Sequence, residues 1–470
     1  MALMEALFGM NQTRALSQAW PGTRDITTPA MQQAISDWYA LYYDRVLDNK
    51  REEDPCQRIP CTIVAKLQKA CFSEYEAEVN GQSAKAEFLS GCQRALDKAR
   101  KKAMQHAMIG GEAWLKPVPT AAGFAISVVR RDSVAVLARN PQDEVTDMIL
   151  AEHTAAGGQW YHLLERRTVD ENGLLTIQNR LYRSGDRSTI GVAVPLSSLP
   201  QYAALEPEYS FPQPVGSIGL APVRMPMENC VDGSADAVSV YAAAEGIIHA
   251  INHNEYLLSQ EFDNGRIRVL ASEDLLHRER DADGNVTRKY FPGGLFTGLD
   301  GSEEQVGITV FNPSLRDQSF LARKTEYLRN VENVIGLKRG LLSDVEAAQR
   351  TAKEITSSEG DYNLTIQELW QVWDAADREA LRLCDVLGQM YRLCDAAAFD
   401  PLEDVSISWG NGVLYDADKV WTETMGMVAA GLLKPELALA WKYDLPCDTP
   451  ADLSAIREKY MPEMEQLLEG

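Results

Sequence analysis

Apolar residues in the first hundred positions recur every three to four residues, and this spacing predicts amphipathic helices. Thr28-Pro29 supplies an N-cap and a first-turn proline, and the apolar residues from Met31 to Tyr42 then keep to one face. Two further helices are predicted over 62–79 and 84–109, the second ending at Gly110-Gly111, where a left-handed cap forms easily. The chain is therefore expected to begin with a helical region.

Short β-type runs replace this pattern between Trp114 and about Leu205. Gly157-Gly158 and Asn172-Gly173 separate the runs where a hairpin turn needs positive φ angles, so an antiparallel sheet is predicted. The proline-rich stretch from Pro200 to Pro226 is then expected to act as a linker.

A small β-type module is predicted between two long helices. The first helix covers about 234–262 and is followed by Gly265. The second begins with the N-cap pair Asn312-Pro313 and runs to Gly336. The segment between them contains β-type runs and a turn at Asp283-Gly284-Asn285.

The last part of the chain is predicted to be mainly helical. A glycine-bounded loop from Gly336 to Gly340 precedes a capping box at Ser343 to Glu346, which starts a long helix reaching about Ala397. One β-type run at Val405 to Trp409 then precedes helices near 418–430, 435–442 and 449–468. Together these patterns predict an α+β fold, and the sequence has no internal repeat.

Composition restricts the possible functions. A length of 470 residues with 45% hydrophobic content indicates several folded regions. No apolar run is long enough to span a bilayer, and Met1 to Met10 lacks the features of a secretory signal, so no membrane partner is predicted. The eight cysteines lack zinc-site spacing, so neither a metal nor any other cofactor is predicted.

The formal net charge of -22 argues against a protein that grips nucleic acid over a broad surface. It does not exclude contact with DNA, because repulsive walls would help DNA to slide through a conduit. The sequence contains neither a P-loop nor a complete dinucleotide-binding motif, so a nucleotide-driven motor is not predicted.

Several segments, taken in order, resemble a known family. They are Ile35 to Tyr43 (ISDWYALYY), Ala107 to Pro117 (AMIGGEAWLKP), Leu164 to Leu181, Pro226 to Leu270 and Asn333 to Leu369, which contains Thr351-Ala352-Lys353-Glu354. In this order the chain resembles the portal proteins of long-tailed (siphovirus-type) bacteriophages, in the branch of portal or minor capsid proteins of phages of Gram-positive hosts. It differs at Gly340 to Ser343, where the family often has a Gly-Thr-Phe-type stretch.

The resemblance implies a division of the chain into the parts of a portal subunit. These are a wing (1–230), a first stem helix (231–264), a clip (265–312), a second stem helix (313–336), a tunnel loop (337–350), a long helix with the return strand of the wing (351–416) and a helical crown (417–470). It also implies a homo-oligomeric ring, usually of twelve subunits, with no catalytic residues.

Such a ring would be the channel at the capsid vertex for DNA packaging and ejection. The partners implied are double-stranded DNA passing non-specifically, the terminase motor, the head-tail adaptor, and the major capsid and scaffold proteins. The location implied is the virion, with the host cytoplasm during assembly.

Two sets of residues are candidates for contact with these partners. The resemblance assigns DNA contact to the tunnel-loop residues Gly336, Leu337, Lys338, Arg339, Gly340 and Ser343, although a dibasic loop is more often solvated surface. Arg278, Arg280, Arg288 and Lys289 of the clip serve either partner docking or solubility.

Alternative functions remain open. Glu245, His249 and His253 are spaced four apart on a predicted helix, as in a metal-dependent hydrolase. Ala250 stands where the helical zinc motif needs a glutamate, and no third ligand is evident. A phage head structural protein other than the portal is a further alternative. Asp374, Asp377 and Glu379 are expected on an exposed helix face without an acid-base role.

Overall fold

The structure is a computed structural model. The residues it describes are 12–45, 54–120, 123–265, 268–271, 277–281, 283–290, 308–311, 314–343, 352–410, 417–443, 445–447 and 449–461. The predicted α+β class is confirmed. Among the described helices, none is both long enough and apolar enough to span a membrane.

Helices dominate the two ends of the chain. Their bounds are α1 (Gln12–Ala19), α2 (Pro29–Tyr43), α3 (Ile59–Cys71), α4 (Ala84–Gly110), α5 (Glu245–Asn264), α6 (Asp317–Ile335), α7 (Ala352–Met390), α8 (Pro401–Asp404), α9 (Ala417–Ala429), α10 (Pro435–Tyr443) and α11 (Pro450–Tyr460). The predicted N-cap of α2 is present, because the Thr28 side chain accepts a hydrogen bond from the Met31 N–H.

Strands lie mainly between these helical regions. Their bounds are β1 (Glu76–Val79), β2 (Glu112–Thr120), β3 (Gly123–Arg130), β4 (Val134–Arg139), β5 (Val145–Ala156), β6 (Gln159–Val169), β7 (Leu175–Ser184), β8 (Val192–Val194), β9 (Glu208–Ser210), β10 (Ala221–Arg224), β11 (Arg268–Ala271), β12 (His277–Arg280), β13 (Val286–Tyr290), β14 (Ile308–Phe311) and β15 (Val405–Ser408).

The central strands form two antiparallel sheets. One has the order β10-β2-β3, and the other has the order β4-β5-β6-β7-β8, with β9 also paired to β7. Gly157 and Gly158 make the β5–β6 turn with positive φ angles, and Gly173 does so between β6 and β7. The predicted hairpins are therefore confirmed.

The main core joins the N-terminal helices to the long helix α7. The indole N–H of Trp373 donates to the Tyr75 hydroxyl (3.1 Å), and that of Trp370 donates to the Cys71 carbonyl (2.9 Å). Strand β15, which follows α7, pairs antiparallel with β1. Segments nearly 300 residues apart in sequence thus share one apolar core.

Three boundary predictions are wrong. The helix expected over 62–79 stops at Cys71, because the following residues form β1 and bind β15. The proline-rich linker contains β9 and β10, and Pro222 is tolerated because β10 lies at the edge of its sheet. The helix expected from residue 234 begins only at Glu245.

The late start of α5 has a specific cause. The Ser239 hydroxyl and the Val240 N–H both donate to the carbonyl of Met108, and the Tyr241 hydroxyl donates to the carbonyl of Trp38. These bonds hold Ser239 to Tyr241 against α4 and α2 outside the α-helix, and a 3-10 turn at Ala242–Ala244 then leads into α5. The predicted helix start at Asn312-Pro313 lies outside the described residues, and α6 begins at Asp317.

Candidate functional site: a helix pair and an anchored basic loop

Helices α5 and α6 pack side by side and bracket a β-rich module in the sequence. The Asn254 side-chain amide donates to the carbonyl of Phe320 (3.1 Å), and Lys324 pairs with Glu255 at 2.7 Å. Near the other end, Arg316 pairs with Glu261 at 2.6 Å. The predicted pair of helices around a small β module is therefore present.

The strands that the structure describes between these helices form nested antiparallel pairs. Strand β11 pairs with β14, and β12 pairs with β13 inside them. In the inner hairpin Arg278 stands opposite Lys289 and Glu279 stands opposite Arg288. The Arg280 guanidinium donates to the Gly284 carbonyl within the predicted turn (2.8 Å). The clip cations thus share one hairpin, and their docking role stays a prediction.

The loop that carries Lys338 and Arg339 leaves α6 through a left-handed glycine. Gly336 has φ of 74°, and a Cβ added there would lie 2.6 Å from Thr365 Oγ1 on α7. The same Thr365 hydroxyl donates to the Gly336 carbonyl at 3.2 Å. Glycine suits this exit because of its positive φ, and because any Cβ there would displace the Thr365 hydroxyl.

A buried carboxylate fixes the rest of the loop. Glu332 is only 1% exposed, and it accepts hydrogen bonds from the N–H groups of Gly340 (3.0 Å), Leu342 (2.5 Å) and Ser343 (2.9 Å). The Ser343 hydroxyl adds another at 2.9 Å. These donors offset the cost of burying the charge, and they fold the loop back onto the end of its own helix.

This arrangement gives Ser343 a partner that the sequence does not predict. Ser343 is predicted to begin the capping box of the next helix, in which its hydroxyl oxygen would accept a hydrogen bond, and in the structure its hydroxyl donates to the Glu332 carboxylate. The two roles are compatible, so the capping box stays a prediction. The remaining capping-box residues, 344–346, lie outside the described residues. Glu332 was missed because a glutamate on an amphipathic helix carries no sign of its partners, which lie in a loop.

The loop cations sit between two fixed points. Arg339 is exposed and Lys338 is half-buried, while Leu337 on one side and Ser343 on the other are buried. Gly340 has φ of 93°, which lets the chain turn directly after the basic pair. The arrangement can therefore present a cationic turn at the end of the helix pair.

The residues of the alternative metal site each have a separate partner. Glu245 accepts a hydrogen bond from the Trp38 indole (2.9 Å), His249 lies 3.4 Å from Asp54, and the His253 ring contacts Tyr256. Within the described ranges, no group of three or more histidine, cysteine or acidic side chains is arranged to hold a metal ion. The geometry does not favour this alternative.

The expectation that Asp377 lies on an exposed helix face is wrong. Asp377 is 0% exposed, and it accepts a hydrogen bond from the Gln93 side-chain amide (3.1 Å). Burial raises the pKa of Asp377 to about 7, while the bond from Gln93 acts in the opposite direction. Asp374 and Glu379 lie nearer the surface and pair with arginines on the same helix.

Comparison with known proteins found no matching protein-family model and no matching curated protein. The features that bear on function are therefore those of the chain itself: the helix pair, the module between its helices, and the loop held by Glu332.

Proposed function

We propose that this protein is a ring-forming, non-enzymatic conduit for double-stranded DNA. Within that class, the proposal is the portal protein of a tailed bacteriophage, the channel at the capsid vertex through which DNA is packaged and ejected. The observation that carries the proposal is the pair α5 and α6 around a compact β module, followed by a basic loop. This arrangement agrees with the family resemblance of the sequence.

Exposed apolar residues on the helix pair support assembly with further copies. Phe262 is 51% exposed, and Leu321 and Val334 are each 45% exposed. Such side chains on paired helices are suited to burial against the helices of a neighbouring subunit. A closed ring would repeat the same contact between neighbouring subunits around its axis, so that this apolar surface would be covered in every subunit.

The distribution of charge also fits a conduit. The chain has a formal net charge of -22, whereas the loop after α6 carries Lys338 and Arg339 together. In a ring, each such pair would contribute to a narrow positive belt between negative walls. Contact with phosphates would then be non-specific, as passage of any DNA sequence requires.

The same proposal includes the partners of a portal. The clip hairpin would dock the terminase motor and later the head-tail adaptor, and the outer surfaces would meet the major capsid and scaffold proteins. The protein would lie in the virion and, during assembly, in the host cytoplasm.

Electron microscopy of the purified protein tests the assembly. We expect rings with a central pore, and we expect Leu321→Glu with Val334→Glu to yield monomers, because charges would enter the contact between subunits. Val192→Glu is the matched control, since Val192 is 59% exposed on a strand outside the helix pair. Monomers or pore-free aggregates of the unaltered protein at every concentration would contradict the portal assignment. A pore-free assembly would favour another head structural protein.

Loss of the basic pair tests the channel loop. Lys338→Ala with Arg339→Ala is expected to leave the rings intact and to reduce the DNA packaged or retained in particles. Unchanged DNA content would show that the loop does not contact DNA.

A further inference from the structure

One exposed helix face is strongly basic in an otherwise acidic chain. Arg94, Lys98, Lys101 and Lys102 are all exposed on α4. Their spacing of three and four residues places them on one side of the helix, opposite the face that packs into the core. At about 1.5 Å rise per residue, this stripe is about 12 Å long.

The neighbouring helix extends the stripe. Gln68 on α3 donates its side-chain amide to the carbonyl of Lys101, which holds α3 against α4 at the level of these cations. The next residue on α3 is Lys69, which is also exposed. No acidic residue occurs anywhere in α3. The basic face is defined here as Lys69, Arg94, Lys98, Lys101 and Lys102.

The cations of the basic face are not neutralised locally. Within the part of the chain that the structure describes, no carboxylate forms an ion pair with any of them. Asp97, the nearest acidic residue on α4, pairs instead with Arg100 at 3.1 Å. Five cations held on two packed helices, without an ion-paired carboxylate among the described residues, favour a local positive potential in a chain whose net charge is negative.

The chemistry of the basic face favours a phosphate backbone over a protein partner. Protein interfaces centre on apolar and aromatic anchors and are depleted in lysine. The large apolar side chains that are exposed among the described residues all lie outside α3 and α4. Lysine-rich surfaces without such anchors are typical of sequence-independent contact with phosphates.

We infer that the basic face is a second, sequence-independent binding surface for the backbone of double-stranded DNA, separate from the loop that carries Lys338 and Arg339. Binding is electrostatic and depends steeply on salt, because each phosphate contact releases condensed counterions. The inference does not require that the protein form a ring, since every cation of the basic face belongs to one chain.

Fluorescence anisotropy with a labelled mixed-sequence DNA duplex tests the inference. Binding is measured over a range of salt concentrations for the unaltered protein and for Lys98→Gln/Lys101→Gln/Lys102→Gln. The triple variant is expected to bind more weakly and to have a salt slope lower by about 3, or about 1 for each lysine removed. The control is Arg183→Gln/Lys434→Gln/Lys459→Gln, which changes the net charge equally at exposed sites outside the basic face. This control should retain most of the DNA binding and the full salt slope.

Two further arms separate the alternatives. Lys338→Gln/Arg339→Gln should lower the salt slope by at most about 2, and the triple variant should cause its full further loss when it is combined with this loop variant. Polyglutamate of matched charge should compete poorly with DNA. The inference is overturned if the triple variant binds like the unaltered protein, if the control triple loses as much affinity, or if no binding is seen at low salt. It is also overturned if only the loop variant loses binding, or if polyglutamate competes as well as DNA does. Ring formation is measured separately by microscopy, so failure here is distinguishable from failure of the portal proposal.

Discussion

Glu332 and Ser343 are joined by two hydrogen bonds, in which the backbone N–H and the hydroxyl of Ser343 both donate to the Glu332 carboxylate at 2.9 Å. The carboxylate also binds the N–H groups of Gly340 and Leu342. A single buried side chain on α6 therefore fixes the conformation of the loop that carries the basic pair. The position of Lys338 and Arg339 therefore depends on a residue that is itself buried.

Replacing Glu332 by glutamine should release this loop. An amide group has one acceptor oxygen and no negative charge, so the Gly340 N–H would lose one of its two acceptors and the Ser343 hydroxyl would lose its carboxylate acceptor, at a cost of about 1–3 kcal/mol. We expect a lower urea midpoint and faster tryptic cleavage after Lys338 and Arg339. Glu326→Gln is the control, because Glu326 lies on the same helix with an exposed side chain. Equal cleavage rates in the two variants would show that Glu332 does not hold the loop.

Asp377 and Gln93 form a second buried pair whose stability should depend on pH. Gln93 donates to one oxygen of Asp377, but the Gln93 oxygen and the other Asp377 oxygen have no hydrogen-bond partner among the described residues. Burial raises the pKa of Asp377 to about 7, above its ordinary value of 3.8. The folded protein therefore favours the protonated acid, and this pair loses stability as the pH rises from about 4 to about 7.

Asp377→Asn should remove this dependence. Asparagine is neutral at every pH, and its amide can donate to the Gln93 oxygen while its own oxygen accepts from Gln93. We expect the variant to be more stable than the unaltered protein by about 1–3 kcal/mol at pH 8, with the difference disappearing near pH 4. Urea unfolding at the two pH values measures it. The control is Asp361→Asn, at an exposed position of the same helix, and a stability gain of the same size there would refute the explanation.

The sequence predicted local features well where the cause lies within a few residues. The turns at Gly157-Gly158 and Gly173 and the N-cap at Thr28 needed only a local backbone conformation. The sequence-based predictions failed where a local conformation or burial depends on a contact with residues far away in the chain. Tyr241 is kept out of helix α5 by a bond to Trp38, and Asp377 is buried by α4, which lies almost 300 residues earlier.

The same limit applies to the candidate site. The glycine-bounded basic loop can be recognised from the sequence, because the residue types themselves indicate a turn and a positive charge. The role of Glu332 in holding this loop cannot be recognised in the same way, because Glu332 binds backbone N–H groups, which nearly every residue carries. The part of the basic face that lies on α4 does have a signal in the sequence, because its cations recur every three to four residues within a predicted helix.

Gly111 should be intolerant of alanine. Its φ is 82°, and a Cβ added there would lie 2.3 Å from the carbonyl oxygen of Ala237, a backbone atom that cannot move aside cheaply. We expect Gly111→Ala to lower stability by about 3 kcal/mol or more, since both backbone strain and a clash contribute. Gly158→Ala is the matched control, because Gly158 has φ of 73° and open space around its Cβ position. Its cost should be about 1 kcal/mol, and equal losses in thermal unfolding would show that the close approach is unimportant.

Glu165 should make the protein sensitive to acid. It is buried between Lys116 (2.5 Å) and Arg167 (2.6 Å), and although burial alone would raise its pKa, these two cations outweigh burial and lower the pKa to about 2. Because the folded-state pKa lies below the ordinary value of 4.5, the stabilisation is fully present above about pH 4.5 and is lost as the pH falls towards 2. Glu165→Gln leaves two cations without a charged partner and should lower the free energy of unfolding by about 3–5 kcal/mol at pH 7.

Urea unfolding at two pH values checks this prediction. The stability difference between Glu165→Gln and the unaltered protein should be smaller at pH 3 than at pH 7. The control is Glu171→Gln, at an exposed turn position, which should match the unaltered protein at both pH values. A Glu165→Gln deficit that stays constant between pH 7 and pH 3 would mean that the ionised carboxylate is not the source of the stability.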